Sequence, residues 1–163
     1  MFNFFRKNRN KKVENSARNK SKKLSATVIN YHPKIILAWA KAIEGNDELL
    51  NYLLQNGYKE LAISVHAIKL KDEARDWLMQ NGFPHIMALI NASEGNLDAL
   101  SWLRLNNFEL FYHMALAIEG EIEGFTWINK NSTQEYFLLT RTIKKVKDEI
   151  EEDHNDTHRM STD

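Results

Sequence analysis

The chain has 163 residues, 43% of them apolar, and as many acids as bases, 22 of each, which is enough for one domain with its own core. It contains no cysteine, which excludes disulfides, thiolate zinc sites and cysteine nucleophiles and fits a reducing compartment such as the cytoplasm. No stretch approaches the ~18 consecutive apolar residues of a membrane span, and the amino end lacks the ~7–15-residue apolar core of a secretory signal.

The first segment is strongly basic. Residues 1–24 carry nine bases against one acid, Glu14, which leaves 13 bases and 21 acids for the remainder. A segment of +8 therefore precedes a body of −8, and such asymmetry points to an anionic partner for the basic end, nucleic acid or an anionic surface, through residues 6–23. Arg6, Lys7, Arg9, Lys11 and Lys12 are the candidate contacts. The plainer reading is a solubilising leader, or one lying along its own acidic body. With little periodic apolar content, residues 1–20 are expected to be disordered. Phe2, Phe4 and Phe5 beside the basic run suit an anionic membrane surface, and an acid-poor basic leader also resembles an organellar transit peptide.

From Ser21 onward a repeat is legible. Ala42, Ala67, Ala92 and Ala117 stand 25 residues apart, and each opens a copy: AIEGNDELLNYLLQNGYKELAISVH, AIKLKDEARDWLMQNGFPHIMALIN, ASEGNLDALSWLRLNNFELFYHMAL and AIEGEIEGFTWINKNSTQEYFLLTR. A partial unit precedes them, with Leu24 and Val28 in the columns of Leu49 and Leu53 and the run from Pro33 aligned with that from Tyr58. Fixed periods of roughly 20–50 residues mark stacked repeat arrays with atypical terminal units. Within a unit the pattern predicts two short helices. The first covers Asp47–Gln55, with Asn46 as N-cap, Asp47 and Glu48 on the positive end of the helix dipole, and Asn56-Gly57 as the stop. The second covers about Lys59–Ile68, with Leu61, Val65 and Ile68 on one face. In the last copy Ser132 and Lys145 replace the glycine stops, so one longer helix is expected over Glu135–Glu152, followed by a loose tail. The fold expected is all-α: a right-handed α/α solenoid of tandem 25-residue helical hairpins over 21–152, capped by helices at both ends, before a disordered tail at 153–163.

Columns shared by every copy must serve stacking. Tyr52, Trp77, Trp102 and Trp127 form one and Leu53, Leu78, Leu103 and Ile128 the next, both expected in the core, with large aromatics burying ~150–250 Å² each. The alanine column is expected to let helices approach closely. Asn56, Asn81, Asn106 and Asn131 are either helix C-caps or a ladder of amides bonded to the adjoining unit. Columns that vary are where a partner can be read. On the second helices these are Lys34/Lys59/Pro84/Glu109/Gln134, Leu37/Ala62/Met87/Tyr112/Phe137 and Lys41/His66/Asn91/Leu116/Arg141, three or four residues apart on one face. Lys41, Lys59, His66, Met87, Asn91, Tyr112, Leu116 and Arg141, with His113 beside them, are the candidate partner-binding residues. The plainer reading is tolerant surface, or core at Met87 and Phe137.

GNDELLNYLLQNG (45–57) and GNLDALSWLRLNN (95–107) resemble the second helix of an ankyrin repeat, and Ile63-Ser64-Val65-His66-Ala67 stands where that family has its Leu-His-x-Ala-Ala helix. The resemblance covers about residues 33–142 in fragments. Ankyrin units run to ~33 residues, so these shorter ones lack the projecting β-hairpin loop and the Thr-Pro helix start. The resemblance implies a helix-pair solenoid that recognises proteins. An independent short α/α repeat converging on the same pattern is the other reading. No phosphate-cradling glycine loop, HExxH helix or nucleophile elbow occurs. His154 and His158 have i, i+4 spacing without a third ligand, and Glu48, Glu73, Asp98 and Glu123 read as first-turn dipole partners. Neither cofactor, metal nor enzymatic activity is expected.

Overall fold

The structure, a computed structural model, describes the backbone of residues 29–159 and the side chains of 29–156. The expectations for residues 1–20, including Arg6, Lys7, Arg9, Lys11 and Lys12, and for Leu24 and Val28 fall outside it. Among the described residues there are nine α-helices and no strand: α1 Pro33–Ile43, α2 Asp47–Gln55, α3 Lys59–Ile68, α4 Asp72–Gln80, α5 Pro84–Ala92, α6 Leu97–Leu105, α7 Glu109–Ile118, α8 Ile122–Asn131 and α9 Gln134–Arg159.

Local chemistry accounts for the bounds. Asn46 and Asn96 cap α2 and α6 by accepting the amides of Leu49 and Ala99 at 2.9 Å, and the prolines of α1 and α5 stand at N1, where no intrahelical donor is lost. At the other end each asparagine of the invariant column donates from Nδ2 to the carbonyl four residues back in its own helix: Asn56 to Tyr52, Asn81 to Trp77, Asn106 to Trp102 and Asn131 to Trp127, at 2.7–3.0 Å. Asn56, Asn81 and Asn106 are C-caps and Asn131 makes the same bond as the last residue of α8, and the inter-unit ladder is corrected: each amide bonds a carbonyl in the last turn of its own helix. The chain then leaves α8 through extended Ser132 (φ −132°), and at the other turns passes through a left-handed residue, a glycine in most copies but Leu70 (φ 65°) after α3 and Asn107 (φ 62°) after α6.

The odd-numbered helices form the inside. Each packs on the next odd-numbered one, and α9 packs on α1, closing a ring of five. Their inward columns are buried in every copy: Ile36, Leu61, Ile86, Phe111 and Tyr136; Trp39, Ser64, Leu89, Met114 and Leu139. The second column shows size compensation, since Trp39 Nε1 donates to Ser64 Oγ at 2.8 Å. The even-numbered helices lie outside, each packed on the odd-numbered helix before and after it and buried through Leu53, Leu78, Leu103 or Ile128, all 0% exposed. The aromatic column does not join them: Tyr52 is 44% exposed and Trp77, Trp102 and Trp127 are half-buried. That expectation is corrected because an outer helix of nine or ten residues buries one narrow stripe, and the leucine column fills it. Alanines of the 25-residue column are buried as expected. A close approach is at Ala117, where α8 presents Gly124; a Cβ on Gly124 would lie 2.4 Å from Ala117 N and 2.5 Å from His113 O.

Helix α9 runs on through Arg159 rather than stopping at Glu152, so the tail expected from residue 153 is helical to that point. Its middle lies over the carboxyl ends of the inner helices. Thr142 Oγ1 donates to Glu44 (3.4 Å), Lys144 Nζ to the Ile118 carbonyl (3.2 Å), and the buried Lys147 pairs with Glu94, which also takes Arg75 at 2.5 and 3.1 Å. Burial alone would raise the Glu94 carboxyl, but its bonds to Arg75 and Lys147 hold it below the usual carboxylate range. No described helix is long and apolar enough to cross a membrane.

Candidate functional site

The proposed strip on the second helices is not presented as one surface. Its middle column faces core in two copies, Ala62 at 1% and Met87 at 4% exposed, so Met87 is removed from the candidate partner contacts: it fills the interior where the outer helices press on the ring. Asn91, Tyr112, His113 and Leu116 are half-buried, whereas Lys41, Lys59, His66 and Arg141 are exposed. Lys41 is engaged with Glu44 at 2.6 Å and Lys59 lies over the Trp77 ring, 4.9 Å from its centroid.

What the structure assembles instead is a belt of aromatic rings near the amino ends of the inner helices. Trp77 stacks on Phe83 (5.9 Å) and Trp102 on Phe108 (5.6 Å), the same pairing in consecutive hairpins. His85 stacks on Phe108 at 5.3 Å and on Phe111 at 6.1 Å, and burial pushes its pKa down to about 4. At the next step His113 stacks on Trp127 at 4.2 Å, edge-on to Tyr112. Burial lowers its pKa too, partly offset by Glu109, whose Oε2 lies 3.8 Å away. The contact depends on Gly124, since only a residue without a side chain lets α8 come this near α7. These histidines are neutral near pH 7 and packed against rings, which suits structure better than proton transfer.

Two apolar features lie elsewhere. Leu97 (74% exposed) and Ile122 (78%) open α6 and α8 in the register where α2 and α4 carry Asp47 and Asp72, and Leu105 at the end of α6 is 82% exposed. A groove of about 470 Å³ runs between the carboxyl ends of α1 and α3 and the distal part of α9, its floor made by Ile43, Leu70, Val146 and Ile150. Neither is among the residues expected from sequence. The signal for the first is two aliphatics in an otherwise acidic column, and for Leu70 a leucine in a glycine column. Among the described residues no three His, Asp or Glu side chains gather as they would around a metal ion. Comparison with protein-family models, with curated proteins and with solved structures finds no match.

Proposed function

We propose that the chain is a non-enzymatic protein-interaction module of the cytoplasm, built from right-handed 25-residue helical hairpins related in pattern to ankyrin repeats without their β-hairpin loop, with α1 and α9 as its terminal caps. The pattern of helix starts, at residues 47, 72, 97 and 122 outside and 59, 84, 109 and 134 inside, supports the repeat. The observation that carries the function is the exposure of Leu97 and Ile122 at 74% and 78%. Neighbouring copies show that aspartate serves equally well to start an outer helix, so two adjacent exposed aliphatics favour contact with another protein. Affinity purification from the native cell tests the reading: a partner held by the wild type should be lost from the Leu97→Asp/Ile122→Asp double variant. A partner set unchanged by that variant, and by charge reversal of His66 and Arg141, would sink it.

The composition of residues 1–24 favours a second reading, a nucleic-acid or ribosome-associated binder led by Arg6 to Lys23. It requires steeply salt-dependent RNA or DNA binding that deletion of residues 1–20 abolishes.

A further inference from the structure

We infer that the junction between α9 and α1, which no described outer helix covers, takes a short amphipathic helix of a partner protein with acids in its first turn. The inference rests on the protein-interaction reading and assigns it a site and a partner chemistry.

The ring has five junctions between neighbouring inner helices, and among the described residues outer helices bridge four of them: α2 lies on α1 and α3, α4 on α3 and α5, α6 on α5 and α7, and α8 on α7 and α9. None bridges α9 and α1, which pack on each other directly. Two columns register the presence of an outer helix. The first, Leu37/Ala62/Met87/Tyr112/Phe137, faces the outer helix that precedes each inner one. Phe137 meets Phe125 of α8 at 5.6 Å, and Tyr112 lies under Arg104 of α6, 5.8 Å from its ring centroid. The second, Ala38/Ile63/Ala88/His113/Leu138, faces the outer helix that follows, as His113 does in stacking on Trp127 of α8 at 4.2 Å. Each column is buried or half-buried in four copies and exposed in one. The exposed members are Leu37 (38%), on the helix with no described outer helix before it, and Leu138 (39%), on the helix with none after it. Both border the same junction, so this apolar pair continues the row of helix-on-helix interfaces the chain makes with itself.

The resident outer helices show what such a junction accepts. They have nine or ten residues, one or two acids in the first turn, and one aliphatic of the column Leu53/Leu78/Leu103/Ile128 turned inward at 0% exposure. Charge at the open junction suits the same pattern. Each outer helix begins beside the carboxyl half of the inner helix before it, which on α9 is the stretch around Arg141 and Lys145. Arg141 is exposed and forms no ion pair. Lys145 and, on α1, Lys41 hold only exposed partners, Glu149 at 3.8 Å and Glu44 at 2.6 Å, and such pairs are weak. Three bases against two acids favour an acidic first turn. The chain's own Lys22 and Lys23, in the columns of Asp47 and Glu48, have the wrong sign for that place.

The test uses the full chain and a fluorescein-labelled peptide with the α2 sequence from Asn46 to Gly57, read by fluorescence anisotropy in about 0.15 M salt, where exposed charges are screened beyond ~8 Å. The wild type should bind it roughly tenfold or more tightly than its Leu49→Ser/Leu53→Ser version, the scale of burying leucine side chains. Leu37→Ser and Leu138→Ser should each erase that preference while melting like the wild type, since both side chains are already in contact with water. Arg141→Glu should weaken binding about two- to fivefold and favour instead the Asp47→Lys/Glu48→Lys peptide. A wild type without the preference, leucine variants that keep it, or indifference to the sign at position 141 would overturn the assignment. So would binding that appears only in Leu24→Asp/Val28→Asp, which would give the junction to the chain's own residues, or a dimer in sedimentation that Leu138→Ser dissolves, which would give it to a second copy. If the preference is absent while Leu97→Asp/Ile122→Asp still loses the native partner, the interaction reading stands and only this site falls.

Discussion

Glycines 82 and 124 look alike in the sequence and do opposite things. Gly82 turns the chain at φ 87° with open space where a Cβ would go, whereas Gly124 is helical and buried with Ala117 N 2.4 Å from that Cβ. Gly82→Ala should therefore cost about 1–2 kcal/mol of backbone strain and leave the rings alone. Gly124→Ala forces α8 off α7, an overpacking loss of about 1–3 kcal/mol or more, and should also change the near-UV signal of Trp127 as it parts from His113. Chemical denaturation with near-UV circular dichroism separates the two; equal losses with an unchanged spectrum would contradict the close approach. Asn81→Ala removes one exposed C-cap bond, so its loss should stay near ~0.5–1 kcal/mol. His85 sets an acid limit. An unfolded histidine titrates near ~6.5, but burial among aromatic rings holds this one to about 4 in the fold. The folded state thus binds the proton less readily, so stability falls as pH drops below ~6.5 and the loss levels off below ~4. Denaturation at pH 7 and 4.5 should show His85→Phe losing about 2 kcal/mol less than the wild type over that interval. Carboxylates held low, Glu94 among them, act in a separate window below ~4.5.

Helix by helix, much was legible. The bounds Asp47–Gln55 and Lys59–Ile68 read from caps and apolar spacing are those observed, because Asn46, the first-turn acids and the Asn-Gly stops all act within one turn of the residues they define. Burial was less legible. A column of tryptophans reads as core from size alone, yet which stripe of a short helix turns inward depends on the two inner helices it bridges, and that places leucine inside and the indole against Phe83 or Phe108. Leu103→Ala should accordingly cost about 2–5 kcal/mol, and Trp102→Ala less, because part of its ring is already in water. A larger loss at Trp102 in urea denaturation would restore the aromatic column to the core. The groove does not follow from local pattern, since it depends on where α9 lies, whereas the exposed aliphatic pair is marked in the sequence by its place in an otherwise acidic column.

Closure of the ring is the property no window of sequence carries. The bond between Thr142 and Glu44 joins residues 98 apart, and α9 reaches α1 only because the preceding hairpins have turned far enough to bring the first helix round to it. In an open stack each unit leans on its neighbours alone, and the terminal units fray first. Here α1 has α3 on one side and α9 on the other, with Ile36, Trp39 and Ile43 exposed by only 2%, 1% and 1%, so it belongs with the most stable part of the molecule. Native-state hydrogen exchange distinguishes the two arrangements. With closure, the amides of α1 and of α9 up to Ile143 exchange as slowly as those of α5 and share its denaturant dependence, because all open in one global event. If α1 instead exchanges roughly a hundredfold faster than α5, an opening cheaper by about 2.7 kcal/mol, the array is open at that edge, and the groove that α9 forms with α1 and α3 opens with it.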